Sequence, residues 1–218
     1  MKEPAATSRI WFLGFFILVS ILFGAKMLFV AKHPKPQSAM AYGTVPEFTL
    51  INQKGAPINL EKDLKGKVWI ADFIFTRCAG VCPVMSGKMK TIARDLPQPD
   101  FRFVSFSVDP EYDTPQVLAK YAARYEADPR WFFLTGAKKE LYELTQRYFR
   151  LGVAENSAED MQASGQAVMH SSKFVLIDRE GGIRGYYDSE SGNFPAMLLK
   201  EAQTLLEESD GNLKASRA

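Results

Sequence analysis

Two cysteines and two histidines are all the soft-ligand chemistry that 218 residues carry. So few sulfurs exclude a disulfide-dense scaffold and make the position of each one informative. Charge of one sign is lacking too: 27 Lys+Arg stand against 25 Asp+Glu, a formal +2. That balance supplies no field for gripping a phosphate backbone and argues against nucleic acid as a partner. No internal repeat and no low-complexity tract interrupts the chain. Apolar residues at 46% and charged residues at 24% are globular values, which excludes a wholly disordered or collagenous chain. A mean hydropathy of -0.15 excludes a polytopic membrane protein but leaves room for one apolar span. At 24.5 kDa the chain holds one ordinary domain plus a tail or anchor.

That span is present. Ile10 to Ala31, IWFLGFFILVSILFGAKMLFVA, is 22 residues with Lys26 as its only charge. At a rise of about 1.5 Å per residue it crosses a hydrocarbon core of about 30 Å, and the long stem of Lys26 carries its ammonium out to the headgroups. A cleaved signal peptide is the competing reading, since Lys2 and Arg9 precede the run and Ala39-Met40-Ala41 resembles a cleavage site. The run exceeds the usual length of about 7 to 15 residues and the Ala-x-Ala lies far beyond its end, which favours an uncleaved anchor. No cysteine follows the span to carry a lipid. Lysines and arginines flank both sides, so charge does not orient it. The expected organisation is an N-terminal segment over 1-9, a transmembrane anchor over 10-31 and a Pro- and Lys-rich linker over 32-43, with His33 solvated. A folded domain follows over 44-208, then a disordered tail over 209-218.

Within the domain, Lys67 to Phe75 (KVWIADFIF) reads as a strand buried on both faces. Pro83 to Leu96 sets Val84, Met85, Met89, Ile92 and Leu96 along one helical face, where the methionines are expected to pack in the core. Phe101 to Val108 alternates as a second strand. Asp113-Thr114-Pro115 is a helix start, with Val117, Leu118, Tyr121 and Tyr125 at helical spacing behind it. Trp131 to Leu134 is a short strand and Leu141 to Phe149 a helix. Lys173 to Ile177 and Ile183 to Tyr187 flank the turn Asp178 to Gly182 as a hairpin. Asn193-Phe194-Pro195 opens a last helix through Leu206, and Phe48 to Leu60 is a hairpin-like stretch ahead of it all. The order β-α-β-α-β-α-β-β-α predicts an α/β fold of thioredoxin-like arrangement. Its central sheet is expected to be mostly parallel, with flanking helices and a terminal antiparallel hairpin.

The chemistry sits at Phe75-Thr76-Arg77-Cys78-Ala79-Gly80-Val81-Cys82-Pro83, where a buried strand gives way to a helix. Sites form outside the carboxyl ends of strands in such sheets, and helix N-terminal amides lower a thiol below its ordinary value of roughly 8.5. Two thiols so placed can close a disulfide or share a metal. A plain structural disulfide is the blander reading, but a loop this small stabilises by only about 2 kcal/mol; two buried thiols packed as small hydrophobes is the other. His170, in Val168-Met169-His170-Ser171-Ser172-Lys173, stands just before an apolar strand. Alone it reads as a hydrogen-bonded loop or core residue. Converging on Cys78 and Cys82, it would complete a set of two thiolates and one imidazole, which suits Cu(I) and can also hold Cu(II). Structural zinc would want a fourth ligand, and no further cysteine exists to supply it. Asp109, at the end of the second strand, could tune the site or meet a basic partner, whereas Asp113 or Thr114 reads as a helix cap.

At these residues the chain resembles the Sco (SenC) family of membrane-anchored, thioredoxin-fold copper proteins that assist assembly of the binuclear copper centre of cytochrome c oxidase. The likeness rests on Cys78-x-x-x-Cys82-Pro83 after an F-x-F-T strand end, on DPEYDTP at Asp109 to Pro115, and on His170 before FVLID. It runs over Tyr42 to Glu208, and the anchor agrees with it. The resemblance implies that copper, as Cu(I) or Cu(II), is held by Cys78, Cys82 and His170, and that the two cysteines are also a redox pair. Asp109 matches an acidic, secondary or partner-facing position. The implied partners are the copper-bearing subunit of cytochrome c oxidase and other copper carriers or thiol-disulfide proteins. The implied location is the inner (cytoplasmic) membrane of a bacterium, single-pass, with residues 1-9 in the cytoplasm and the domain in the periplasm. Ala79 departs from the proline that many members carry after the first cysteine. The alternative function is a thiol-disulfide oxidoreductase that reduces partner cysteines at that copper site or more broadly. Exchange would need only the cysteines, whereas copper needs the imidazole as well.

Overall fold

The structure, a computed structural model, describes residues 42–152, 154–155, 168–169 and 171–215, all within the compact unit Ala39–Ala218. The apolar run Ile10 to Ala31, most of the linker with His33, and His170 lie outside the described residues. Among the described residues no helix is long and apolar enough to cross a membrane.

An N-terminal hairpin, β1 (Thr49–Asn52) and β2 (Pro57–Asn59), is followed by a π-helical turn at Leu60–Leu64. The chain then runs β3 (Val68–Ile74), α1 (Val81–Asp95), β4 (Phe101–Ser107), α2 (Pro115–Arg124) and β5 (Trp131–Thr135). A short α3 (Lys138–Glu143) continues into π-helical Leu144–Tyr148. Next come a two-residue pair, β6 (Ala154–Glu155) with β7 (Val168–Met169), then β8 (Lys173–Ile177), β9 (Ile183–Asp188) and α4 (Phe194–Ala215). The expected elements are present, and the β6–β7 pair is an addition too short to leave a periodic signal.

Seven strands form one sheet in the order β2-β1-β5-β4-β3-β8-β9. Only β3–β4 and β4–β5 are parallel; β1–β2, β1–β5, β3–β8 and β8–β9 are antiparallel. The sheet is therefore mixed rather than mostly parallel. Helical crossovers dictate parallel neighbours only for the β3-α1-β4-α2-β5 run. The hairpins attach at either side of it, and β8 enters beside β3 in the opposite sense.

β3 is central, and all seven of its residues are buried, as a doubly covered strand should be. Alternation sends Trp69, Ala71 and Phe73 to one face and Ile70, Asp72 and Ile74 to the other. On the first face Phe73 stacks on Phe106 at 5.2 Å between ring centroids, and Phe149 meets Trp69, Phe73 and Phe106 at 5.0 to 6.3 Å. On the second, Trp131 stacks on Phe133 and Tyr121 meets Phe133 edge-on, while a hydrogen bond of 2.9 Å between Ser86 and Tyr121 ties α1 to α2.

α1 begins at Val81, two residues ahead of the expected Pro83, so Cys82 and Pro83 both lie in its first turn. Met85, Met89 and Ile92 are buried as expected, but Val84 is 54% exposed, because it stands one residue, about 100°, round the helix from Met85. Thr114 is the cap of α2, its hydroxyl accepting from Val117 N–H. The β8–β9 turn closes as its composition implies: the Asp178 carboxylate accepts from Glu180 and Gly182 N–H, and Gly181 takes φ +84°. α4 runs to Ala215, past the expected end at Leu206 and into the stretch expected to be a disordered tail. Ser209-Asp210-Gly211-Asn212 looks like a stop, yet one helical glycine costs only about 1 kcal/mol.

Phe149, fully buried among three rings of the sheet, anchors the connection into β6. Phe149→Ala should cost about 3–5 kcal/mol of unfolding free energy, read from urea melts; a loss under about 1 kcal/mol would show that the face closes up without it.

Candidate functional site

β3 and β4 end at one edge of the sheet, and the loops leaving them form the site. The first loop, Phe75 to Gly80, turns at once, with Cys78 N–H donating to Phe75 O at 3.2 Å. Gly80 is the cap residue of α1 and brings no side chain to its amides; no acidic residue stands in the helix's first turn either. The positive end of the helix thus faces sulfur without a competing carboxylate in that turn.

Both cysteines are thiols, and both are buried, Cys78 at 5% exposure and Cys82 at 0%. Cys82 hydrogen-bonds the Cys78 sulfur, and this bond, followed by burial, pushes the Cys82 thiol far above the ordinary thiol range. A hydrogen bond from the Phe75 backbone works in the other direction, and the charges of Cys78 and Asp72 add to the rise. Asp72 is fully buried in β3 and accepts from Ser105 at 2.5 Å; Ser105 in turn accepts from the Trp131 indole at 2.9 Å. Cys82 therefore keeps its proton.

The second loop, Ser107 to Thr114, is bonded to the first at two points. Asp113 is fully buried. Its carboxylate accepts from Thr76 Oγ1 at 2.5 Å, Thr76 N–H at 3.1 Å and Ser107 Oγ at 2.7 Å. Burial raises the Asp113 carboxyl, and these hydrogen bonds pull it back. It is therefore no helix cap; Thr114 fills that role. Asp109 accepts from the Arg77 guanidinium, Nη2 at 2.5 Å and Nε at 3.1 Å. The Asp109 side chain is only 10% exposed and is turned toward Arg77 of its own chain. The groups that do face outward there are Arg77 and Tyr112, both about half exposed, with the guanidinium 4.3 Å from the centre of the Tyr112 ring.

The structure thus brings Cys78, Cys82 and Asp109 to one edge, while His170 lies outside the described residues. Among the described residues no group of three or more His, Cys, Asp or Glu side chains is placed to hold a metal ion. What stands there is a soft two-sulfur donor set at a helix start, suited to a soft cation or to thiol-disulfide chemistry.

The SCO1/SenC family model matches residues 36–206. The chain belongs to the SCO1/SenC family. It is 38% identical over 168 residues to the SCO1 protein homolog of Bacillus subtilis, covering 74% of this chain and 83% of that protein. Among solved structures it resembles BsSco, titled as having a disulfide switch and as a member of the Sco family of cytochrome c oxidase assembly proteins. That likeness has a TM-score of 0.62 and 35% identity, covering 79% of this chain and 98% of that one. It also resembles Arabidopsis thaliana ScoI with copper bound, at a TM-score of 0.63 and 28% identity, covering 74% and 99%.

In this Sco chain several residues around the cysteines escape a reading of the sequence. Thr76, Ser107 and Arg77 act through partners more than thirty positions away or through a loop crossing, and spacing shows neither. Asp72 does leave a signal: it is the only charged residue from Val68 to Thr76, within a strand otherwise fit for the core.

Because the thiolate is the attacking form, iodoacetamide should modify Cys78 well ahead of Cys82 in the reduced chain between about pH 6 and 9. Peptide mass spectrometry resolves the two sites, and equal labelling rates would contradict a proton held at Cys82.

Proposed function

We propose that this chain is a membrane-anchored copper-binding protein that delivers copper to, or helps to assemble, the binuclear copper centre of cytochrome c oxidase. The observation that carries the reading is the pair of buried, mutually hydrogen-bonded thiols at the start of α1, in a chain of the SCO1/SenC family. Two thiolates are soft donors that suit Cu(I), and an imidazole widens the set to Cu(II). Cys78 and Cys82 are the sulfur ligands in this reading, and His170 is the third.

The backbone supports His170 in that role. β8 is antiparallel to β3, so its first residue, Lys173, lies toward the end of β3 from which the cysteine loop departs. Ser171 and Ser172 lead into β8 from that edge, and His170 is the next residue back along the chain. Copper is bound in the Arabidopsis relative, and BsSco is described among cytochrome c oxidase assembly proteins. The apolar run Ile10 to Ala31 supplies the anchor, with the domain on the periplasmic side of a bacterial inner membrane.

The reductant reading is the weaker one. Attack on a partner disulfide needs an accessible thiolate, and here both sulfurs are covered while Cys82 keeps its proton. A small cation reaches such a site more readily than a protein disulfide does.

The full chain in detergent, reduced and titrated anaerobically with Cu(I), should take up one copper per chain by metal analysis. Cys78→Ala, Cys82→Ala and His170→Ala should each abolish tight retention, with His170→Ala leaving the circular dichroism unchanged. Full affinity in His170→Ala would remove the histidine from the ligand set, and no uptake by the wild type would overturn the reading. Binding must also displace the Cys82 proton, because that thiol is raised and protonated at neutral pH. Proton release on binding should therefore be measurable at pH 7, and affinity should climb about tenfold per pH unit for each proton displaced.

A further inference from the structure

Asp113 is a fully buried carboxylate whose hydrogen bonds come from Thr76 and Ser107, not from the helix it precedes. The sheet ladder between β3 and β4 ends at Ile74 and Ser107, with Val108 N–H donating to Ile74 O at 2.9 Å. Beyond that point backbone pairing stops and the two chains diverge into their loops. The Asp113 carboxylate takes over: it grips Thr76 by both backbone N–H and hydroxyl, and Ser107 by its hydroxyl. Ser107 Oγ also accepts from Asp109 N–H at 3.1 Å, and Asp109 holds Arg77. Thr76 and Arg77, the two residues before Cys78, are thus fixed by one connected network from the β4–α2 segment.

Nothing in fold stability calls for a charge at this point. A buried carboxylate is costly to desolvate, and an apolar residue of similar volume is often the more stable solution. What a carboxylate offers is acceptors on both oxygens, able to hold an N–H and two hydroxyls at fixed places. Cys82 is set by helix α1, but Cys78 lies in the loop ahead of it, so its place relative to Cys82 depends on how its approach is held.

We propose that Asp113, acting through Thr76, is a positioning residue for the Cys78–Cys82 pair, holding the Cys78 side of the loop so that the two sulfurs stay within bonding reach of one another and of a shared ion. This rests on the copper-binding reading for its second readout but not for its first. Loosening the hold lowers the effective concentration of one thiol at the other. Disulfide closure and copper retention, two unrelated chemistries, must then weaken together.

The test uses the full chain in detergent, with Asp113→Asn, Thr76→Val and Thr76→Ser. Asp113→Asn turns an amide donor toward groups that themselves donate; Thr76→Val removes one hydroxyl at constant shape; Thr76→Ser restores the hydroxyl. The first readout is the equilibrium with glutathione, in which two glutathione thiols reduce the Cys78–Cys82 disulfide and leave as one glutathione disulfide. The second is the rate at which Cu(I) passes from the chain to a coloured chelator.

Asp113→Asn and Thr76→Val should shift the equilibrium toward the dithiol about tenfold, about 30 mV for this two-electron couple. They should also speed copper loss about tenfold, with Thr76→Ser staying within about twofold of wild type. Folded Thr76→Val or Asp113→Asn protein with both readouts at wild-type values would overturn the proposal, as would faster copper loss with an unmoved disulfide equilibrium. If Asp113→Asn does not fold, the Thr76 pair decides alone. A wild type that binds no copper while the variants still shift the glutathione equilibrium would overturn the copper reading and leave the positioning role standing.

Discussion

The parallel pairing of β3 with β4, continuous from Val68–Phe101 to Ile74–Ser107, is the constraint on which the site depends. Because the strands run in the same direction and stop level with one another, both following loops emerge at one edge. The cysteine loop then meets the Ser107 to Thr114 segment side by side. The same register sets Asp72 opposite Ser105 inside the sheet, beneath the face that α1 covers. A slip of one residue would reverse the faces of Ile70, Asp72 and Ile74 together and separate Thr76 from Asp113. Core packing on the aromatic face therefore protects chemistry on the other, since Trp69, Phe73, Phe106 and Phe149 lock the strands that fix that register.

The elements that position the site are those most legible from residue order. KVWIADFIF is too short for a typical helix and suits a buried strand, the composition of Asp178 to Gly182 suits a hairpin turn, and the CxxxC between a strand and a helix falls at a strand's carboxyl end. Local periodicity and turn chemistry carry such signals, and a chain follows them when tertiary packing agrees. The sheet's direction is another matter. That β1 pairs antiparallel with β5, and β8 with β3, follows from where long connections cross, and no residue of those strands encodes it. The fifteen or so residues ahead of β8 also carry no periodic pattern, so the short β6–β7 pairing had no signature to read.

At the site, residue type was legible and partnership was not. Cysteine spacing at a strand-to-helix junction announces a thiol pair that can close a disulfide or share a metal. Asp109 and Asp113, four apart in one acidic turn, look alike in sequence, yet one meets a guanidinium and the other two hydroxyls and an amide. Aspartate before Thr-Pro is ordinarily a cap, and here Thr114 performs that task, which leaves Asp113 free to turn inward toward Thr76. The difference lies largely in what the neighbouring loop presents, Arg77 to one and Thr76 to the other, each more than thirty residues away along the chain.

The charge pattern explains why a cation suits this edge better than a second thiolate does. Asp72 lies within electrostatic reach of Cys82 and Asp113 braces the loop, while Arg77, the cation nearest in sequence, is turned away to Asp109 and Tyr112. Cys82 keeps its proton here because its hydrogen bond to Cys78 and its burial disfavour a second thiolate, with the charge of Asp72 adding to both. A univalent cation removes that penalty by bringing its own positive charge as the proton leaves. Proton and metal would then compete for one pair of sulfurs. In the copper-binding reading, protonation of the sulfurs is therefore a route to release.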